Sequence, residues 1–178
     1  MKNLIYPFFV HLTLISVFLV LFIFFSFIFK SLRVFLLKIV KKFGLIFIFL
    51  ISFLATVGSL SFSDILKWTP CKLCWYQRIF MYPQILIVFI GLLIKDKKVF
   101  FYHFWLSLIG FLIALFHYLI QMNIIRGIDC NLVSSSATCI KINFYYGFIS
   151  IPFMAMISFL LIIIISIFNI YESKKIKN

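Results

Sequence analysis

Four cysteines, arranged as two pairs, are the residues of this sequence most able to do chemistry. Cys71 and Cys74 form a C-x-x-C motif, whereas Cys130 and Cys139 lie nine positions apart. C-x-x-C pairs recur in thiol–disulfide chemistry, and a structural disulfide across so short a ring would remove little chain entropy. We therefore interpret the first pair as redox-active. The ten-residue ring between Cys130 and Cys139 suits a structural disulfide as well as a redox role.

The residues around Cys74 favour the reactive form of its thiol. A helix is expected to begin near Cys74 or Trp75, and Lys72 and Arg78 add positive charge close by. Helix N-termini and cationic neighbours both stabilise a thiolate, which is the nucleophile in disulfide exchange. The motif is therefore placed where a cysteine would react.

Arg78 is a candidate contact for an electron acceptor. The sequence has no dinucleotide fingerprint, haem motif or further cysteine set for an iron–sulfur cluster. A membrane-soluble quinone therefore fits best as the acceptor. Arg78 follows Cys74 by one helical turn, and its guanidinium can donate a hydrogen bond to a quinone carbonyl. The alternative is a structural arginine that snorkels to the membrane interface.

Two histidines fall in the fourth apolar run, at different depths. His103 is near the end of the run, and we interpret it as a structural residue at the interface. His117 is deeper, in the outer half, where it can face the interior of a helix bundle. Only His117 is therefore a candidate for the functional site.

We expect no metal site from the cysteines. A zinc ribbon uses two short knuckles, each with cysteines two to four residues apart. The spacing of Cys130 and Cys139 is too long for a knuckle. A tryptophan follows the C-x-x-C motif, which excludes the Cys-x-x-Cys-His pattern of haem attachment.

The elements that carry these residues are predicted to be membrane-spanning helices. Of the 178 residues 65% are apolar, 26 are phenylalanine and only 12% are charged. This composition excludes a soluble domain, a disordered chain and a coiled coil. The net charge of +13 is scattered between apolar runs, unlike the basic face of a nucleic-acid binder, and no run alternates as a β-barrel strand would. Five charge-free runs approach or exceed the length of a span: Asn3–Phe29, Phe43–Ser63, Ile79–Ile94, Val99–Ile125 and Ile142–Tyr171.

The basic residues between the runs predict an orientation. Eleven of the 17 lie in Lys30–Lys42, in Lys95–Lys98 and after Tyr171, all on one side of the membrane. The side richer in basic residues is expected to be cytoplasmic. The C-terminus is then inside, and the two cysteine loops, Asp64–Arg78 and Arg126–Lys141, are outside, where disulfides persist.

The first run is expected to be a genuine transmembrane helix. As a signal peptide it would have too long an apolar stretch, a charged region of one lysine and no Ala-x-Ala-like cleavage site. We therefore divide the chain into an N-terminal extension, residues 1–42, with an extra helix and a basic cytoplasmic loop, and a core, residues 43–178. The extension has no cysteine, and we expect it to be dispensable for the chemistry.

The sequence around the first cysteine pair resembles the DsbB/BdbC family of membrane thiol oxidoreductases. The resemblance covers about residues 43–172 and is closest to the short, BdbC-like branch. It is carried by the string Pro70-Cys71-Lys72-Leu73-Cys74-Trp75-Tyr76-Gln77-Arg78, then by Met81-Tyr82-Pro83, Phe116-His117-Tyr118, Asp129-Cys130, Cys139 and Phe148-Ile149-Ser150-Ile151-Pro152.

The resemblance implies an all-α membrane protein with a four-helix transmembrane bundle, to which this chain adds an N-terminal helix. It implies a redox disulfide between Cys71 and Cys74 next to the quinone, and a second, between Cys130 and Cys139, that reacts with a protein partner. The quinone site would contain Arg78, with Gln77 and His117 beside it. The quinone would be ubiquinone or menaquinone. The partner would be a thioredoxin-fold disulfide donor of the DsbA/BdbD type outside a bacterial cytoplasmic membrane.

These observations predict an enzyme that reoxidises such a donor and passes the electrons to quinone, in support of disulfide formation in exported proteins. A structural or transport subunit with two disulfide-stapled loops is the main alternative, and it predicts that both pairs stay oxidised. A quinone-linked enzyme of the vitamin K epoxide reductase type is a second. In that family the C-x-x-C motif usually lies late in the bundle, whereas here it precedes the second core helix.

Overall fold

The computed structural model describes residues 2–26, 29–96, 98–125 and 148–175. Within these ranges the chain forms five long helices, each apolar enough to cross a membrane, and contains no β-strand. This confirms the predicted all-α membrane class. The helices are α1 (Lys2–Ser26), α2 (Lys30–Leu60), α3 (Lys72–Ile94), α4 (Val99–Gln121) and α5 (Ile151–Lys175), with a π-helical turn (Ser61–Ile65) directly after α2.

Four of the helices form a bundle, and the fifth packs on its outside. Helices α2, α3, α4 and α5 contact one another in a closed ring, in which the α4–α5 contact is the most extensive. Helix α1 contacts α5, α2 and the π-helical turn. The buried core of the bundle is Ile48, Met81, Val88, Phe100, Ala114, Phe159, Ile162 and Ile165.

The predicted boundaries are wrong at two helix starts. Helix α2 begins at Lys30 and continues through the basic segment that we expected to be a loop. Lysine, arginine and leucine are good helix formers, and the 31 residues of α2 span about 46 Å, well beyond the hydrocarbon core. The basic turns of α2 are therefore free to extend into the polar interface. Helix α3 begins at Lys72, two residues before the predicted start.

Close helix approach fixes the α4–α5 contact. A β-carbon at Gly110 would lie only 2.4 Å from the Phe159 ring, so the glycine is what allows this ring to pack against α4. At the end of the bundle opposite the cysteines, Asn169 of α5 donates hydrogen bonds to the backbone carbonyl of Val40 on α2 and to that of Ile165 on its own helix.

His103 packs inside the bundle, one turn from the start of α4, and its interpretation as a structural residue at the membrane interface stays a prediction. It is fully buried, and its Nδ1 lies 3.2 Å from Oε1 of Gln84 on α3. The same oxygen accepts a hydrogen bond from Ser107. Because a polar side chain in hydrocarbon needs partners, this cluster helps to hold α3 against α4.

Candidate redox site

The C-x-x-C motif lies at the N-terminus of α3. Cys71 is the N-cap residue, with extended backbone angles, and its carbonyl accepts the hydrogen bond from the N–H of Trp75. Cys74 is therefore in the first turn, at the positive end of the helix dipole. The two sulfur atoms are 3.3 Å apart, a hydrogen-bonding distance and well beyond the roughly 2.05 Å of a disulfide. Cys71 is buried and Cys74 is partly exposed.

His117 brings an imidazole from α4 to the buried thiol. Its Nε2 lies 3.7 Å from Sγ of Cys71, and its Nδ1 lies 3.2 Å from Nε2 of Gln77. An amide nitrogen can only donate. With the Gln77 amide oriented in this way, Nδ1 is the acceptor, and a neutral His117 carries its proton on Nε2, facing the sulfur. This arrangement allows His117 to stabilise a Cys71 thiolate by a hydrogen bond.

Arg78 is held from both sides. Its Nε and Nη2 donate hydrogen bonds of 2.9 Å to the side chain and the carbonyl of Ser59 at the end of α2. Its guanidinium also lies over the Trp75 ring, 5.1 Å from the centroid. Arg78 is 9% exposed, which excludes a side chain that snorkels into solvent. The prediction that it lies one turn from Cys74, on the same face, is confirmed by their shared cavity.

These side chains line a cavity of about 650 Å³ between the helices, whose wall also includes the residues just before α3. Cys71, Cys74, Gln77, Arg78 and His117 all contribute to its wall. The volume is in the range of small-molecule and cofactor sites.

Two further polar atoms in the cavity wall are buried without a hydrogen-bond partner in the described part of the chain. They are Oε1 of Gln121 and Oγ of Ser150. Buried polar groups are nearly always paired, so these two atoms mark positions at which a polar ligand group can bind.

The ligand atoms of Cys71, Cys74 and His117 lie within 4.8 Å of one another. Such a trio supplies three of the four ligands of a zinc site. Among the described residues, no fourth histidine, cysteine or carboxylate joins them. The expectation that the protein uses no metal stays a prediction.

The structure brings five of the seven predicted site residues together, and the other two lie outside the described residues. Cys71, Cys74, Gln77, Arg78 and His117 share one cavity. The second pair, Cys130 and Cys139, falls in the segment 126–147, which is not described.

Sequence reasoning missed Ser59, Gln121 and Ser150. A serine near the end of an apolar run has no signal of its own, although Ser150 lies inside the family-like string Phe148–Pro152.

The fold and the site define a multi-pass helical membrane protein with a pair of cysteines that line a cavity between its helices. The family model described as "Disulfide bond formation protein DsbB" matches residues 41–169, and the chain belongs to this family. As a member of this family, it is a bacterial membrane protein that takes part in disulfide bond formation, which is an oxidoreductase activity.

Several relatives are also described as disulfide formation proteins. The chain is 44% identical over 140 residues to the SPbeta prophage-derived disulfide bond formation protein B of Bacillus subtilis, covering 79% of this chain and 93% of the relative. It is 44% identical over 121 residues to the probable disulfide formation protein C of Halalkalibacterium halodurans, covering 66% and 86%. It is 41% identical over 122 residues to the disulfide bond formation protein C of B. subtilis, covering 64% and 83%. No solved structure matches the chain.

Proposed function

We propose that this protein reoxidises a thioredoxin-fold disulfide donor outside the cytoplasmic membrane and passes the electrons to a membrane quinone. The observation that carries the proposal is that the Cys71–Cys74 dithiol and a buried arginine line the same cavity of about 650 Å³ between the helices. A purely structural disulfide would need neither the cavity nor the arginine.

The cavity fits a quinone head group in size and in hydrogen-bonding capacity. A quinone carbonyl needs donors, which the Arg78 guanidinium supplies and which the Ser150 hydroxyl, unpartnered in the described structure, can supply. A quinol hydroxyl needs an acceptor, and Oε1 of Gln121 is available for it in the same wall. Both halves of the redox couple therefore find partners in one site.

In the proposed reaction two thiols and a quinone become a disulfide and a quinol, so two electrons and two protons are transferred. The bound quinone supplies the oxidising power. The protein holds the two sulfur atoms 3.3 Å apart, ready to form a bond. The α3 N-terminus and the N–H of His117 stabilise thiolate charge, and Arg78 stabilises the negative charge that develops on the acceptor.

The second cysteine pair, Cys130 and Cys139, is proposed to receive the electrons from the donor. A reduced donor attacks this disulfide, and exchange within the protein transfers the electrons to Cys71 and Cys74. Each step is attack by a thiolate through a mixed disulfide. The described residues on either side of the second pair, the end of α4, which carries His117, and the residues before α5, lie at the same end of the bundle as Cys71.

The proposed orientation places this end of the bundle outside the cell. This end of the bundle contains Tyr6 near the start of α1, the π-helical turn, Cys71 and the residues before α5. The opposite end of the bundle contains the basic segments Lys30–Lys42 and Lys95–Lys98 and the basic end of α5. Because the side with more positive charge faces the cytoplasm, we place this end inside the cell.

The test is anaerobic incubation of the purified protein with quinone and a reduced thioredoxin-fold donor, with quinol formation followed by absorbance. We expect catalytic quinol formation from the wild type and none from Cys71→Ser. If the wild type forms no more quinol than this variant, the enzyme proposal is wrong. A structural or transport subunit would then be favoured, particularly if both pairs also resisted mild reductant.

A further inference from the structure

Helix α1 was expected to be dispensable, and it lies outside the residues that match the family model. In the structure it closes one side of the cavity. Its outer surface faces lipid, with Ile15 and Phe18 exposed by 62% and 68%. The opposite side of the helix, which includes the buried Val10 and Thr13, packs against the bundle.

The beginning of α1 is anchored at the redox end of the bundle by aromatic contacts. The Tyr6 ring packs edge-on against Phe62 and Trp68 at centroid distances of 5.8 and 5.3 Å. Its hydroxyl donates a hydrogen bond to the carbonyl of Ile149, just before α5. The Phe9 ring sits so close to Gly58 that a β-carbon there would lie 2.8 Å from it. These contacts fix the position of the helix relative to the cavity.

Four residues of α1 form part of the cavity wall: Phe9, Leu12, Thr13 and Ser16. Their spacing is that of one face of a helix, and they cover about 10 Å of depth. The hydroxyls of Thr13 and Ser16 donate to the carbonyls of Phe9 and Leu12 within the same helix, at 2.8 and 2.9 Å. Because both hydroxyls are already hydrogen-bonded within the helix, these four residues, which we call the α1 stripe, present mainly hydrocarbon to the cavity.

The cavity is therefore polar at one end and apolar at the other. The thiols, Arg78 and His117 occupy the end near the start of α3. Farther along the helices, the cavity wall includes Leu12 and Ser16 of α1, Ile51 and Ala55 of α2 and Leu161 of α5. A ligand that matches this division has a polar head and a hydrocarbon chain.

We infer that the α1 stripe binds the hydrocarbon tail of the quinone, so that α1 sets affinity for tailed quinones without contacting the head group. The inference rests on the proposed function, because it assigns the deep half of the same cavity. Leu12 and Leu19 provide a matched pair for its test. Both are leucines of α1, but Leu12 lines the cavity and Leu19 is 47% exposed on the outer surface.

The experiment compares Leu12→Trp with Leu19→Trp in the full-length protein. Dissociation constants for a prenylated quinone and for its tail-less analogue are measured from the rise in melting temperature with quinone concentration. We expect Leu12→Trp to weaken binding of the prenylated quinone tenfold or more and to leave binding of the tail-less analogue within twofold. Leu19→Trp should change neither. The KM values for the two quinones should follow the same pattern.

Equal weakening of both quinones by Leu12→Trp, or no weakening of either, would overturn the inference. If Leu12→Trp does not fold, Leu12→Ala replaces it, with an expected loss of about fivefold for the prenylated quinone alone. Failure of the proposed function looks different, since the wild type itself would then neither bind nor reduce either quinone.

Discussion

Replacing Arg78 with lysine separates a quinone contact from a purely structural arginine. Of the five N–H donors of a guanidinium, Ser59 engages two, through its hydroxyl and its carbonyl. The remaining donors are available to the cavity that Arg78 lines. Lysine keeps the charge but has a single nitrogen, so it cannot bind both Ser59 atoms and still present a fixed donor to a ligand.

The expected size of the effect follows from the loss of one charge-assisted hydrogen bond. Such a bond contributes roughly 1.5–3 kcal/mol, which corresponds to a rise of about ten- to 150-fold in the quinone dissociation constant. Disulfide exchange between the donor and Cys130 or Cys139 uses no group on the guanidinium, and its rate should be nearly unchanged. The assay measures the quinone KM and, separately, the rate of mixed-disulfide formation with the donor.

Arg33→Lys is the matched control, because Arg33 is an exposed arginine in the basic turns of α2. It should leave both quantities at the wild-type value. An unchanged quinone KM in Arg78→Lys, or an equal loss in both steps, would refute the reasoning and make Arg78 a residue of the fold alone.

Two further substitutions test the redox site and the helix packing, and a labelling experiment tests the orientation in the membrane. Gln77→Leu removes the hydrogen bond that orients His117 and should slow quinol formation about two- to tenfold. The control, Gln84→Leu, removes the similar hydrogen bond to His103 and should lower the melting temperature without slowing quinol formation. Equal slowing by both variants would contradict the assignment of His117 to the redox site. Gly110→Ala places a methyl group against an α5 ring and should destabilise the protein by about 1–3 kcal/mol, measured by thermal unfolding in detergent; an unchanged melting temperature would show that the ring moves freely. A membrane-impermeant thiol reagent should label Cys130 and Cys139 in reduced whole cells, and labelling only after lysis would reverse the proposed orientation.

The features that follow from local sequence were predictable. Apolar runs of sufficient length identify membrane helices because hydrocarbon leaves the backbone no other partner, and all five predicted helices are present. The geometry of the Cys71–Arg78 string follows from its sequence, because its residues lie on one helix or at its N-cap: Cys74 follows Cys71 by three residues, and Arg78 follows Cys74 by one helical turn. Arg78 and Cys74 accordingly share a cavity.

The features that depend on packing between helices were not predictable. Ser59 holds Arg78 from a helix 19 residues earlier in the chain, and nothing in the spacing relates the two. The role proposed for the α1 stripe depends on contacts with other helices, such as that of Phe9 with Gly58, which the sequence of α1 does not reveal. The charge of the basic start of α2 predicts a membrane interface and not the end of a helix, so the continuation of α2 through this segment does not follow from charge alone.

A single-turnover reaction of the isolated dithiol tests the central claim most directly. In the double variant Cys130→Ser/Cys139→Ser, only Cys71 and Cys74 remain to carry electrons. The reduced variant is mixed anaerobically with excess quinone, without donor, and quinol and alkylatable thiols are counted together. We predict one quinol per protein and the loss of both thiols. No quinol and two intact thiols, under conditions in which the wild type turns over, would contradict electron transfer from this pair to quinone.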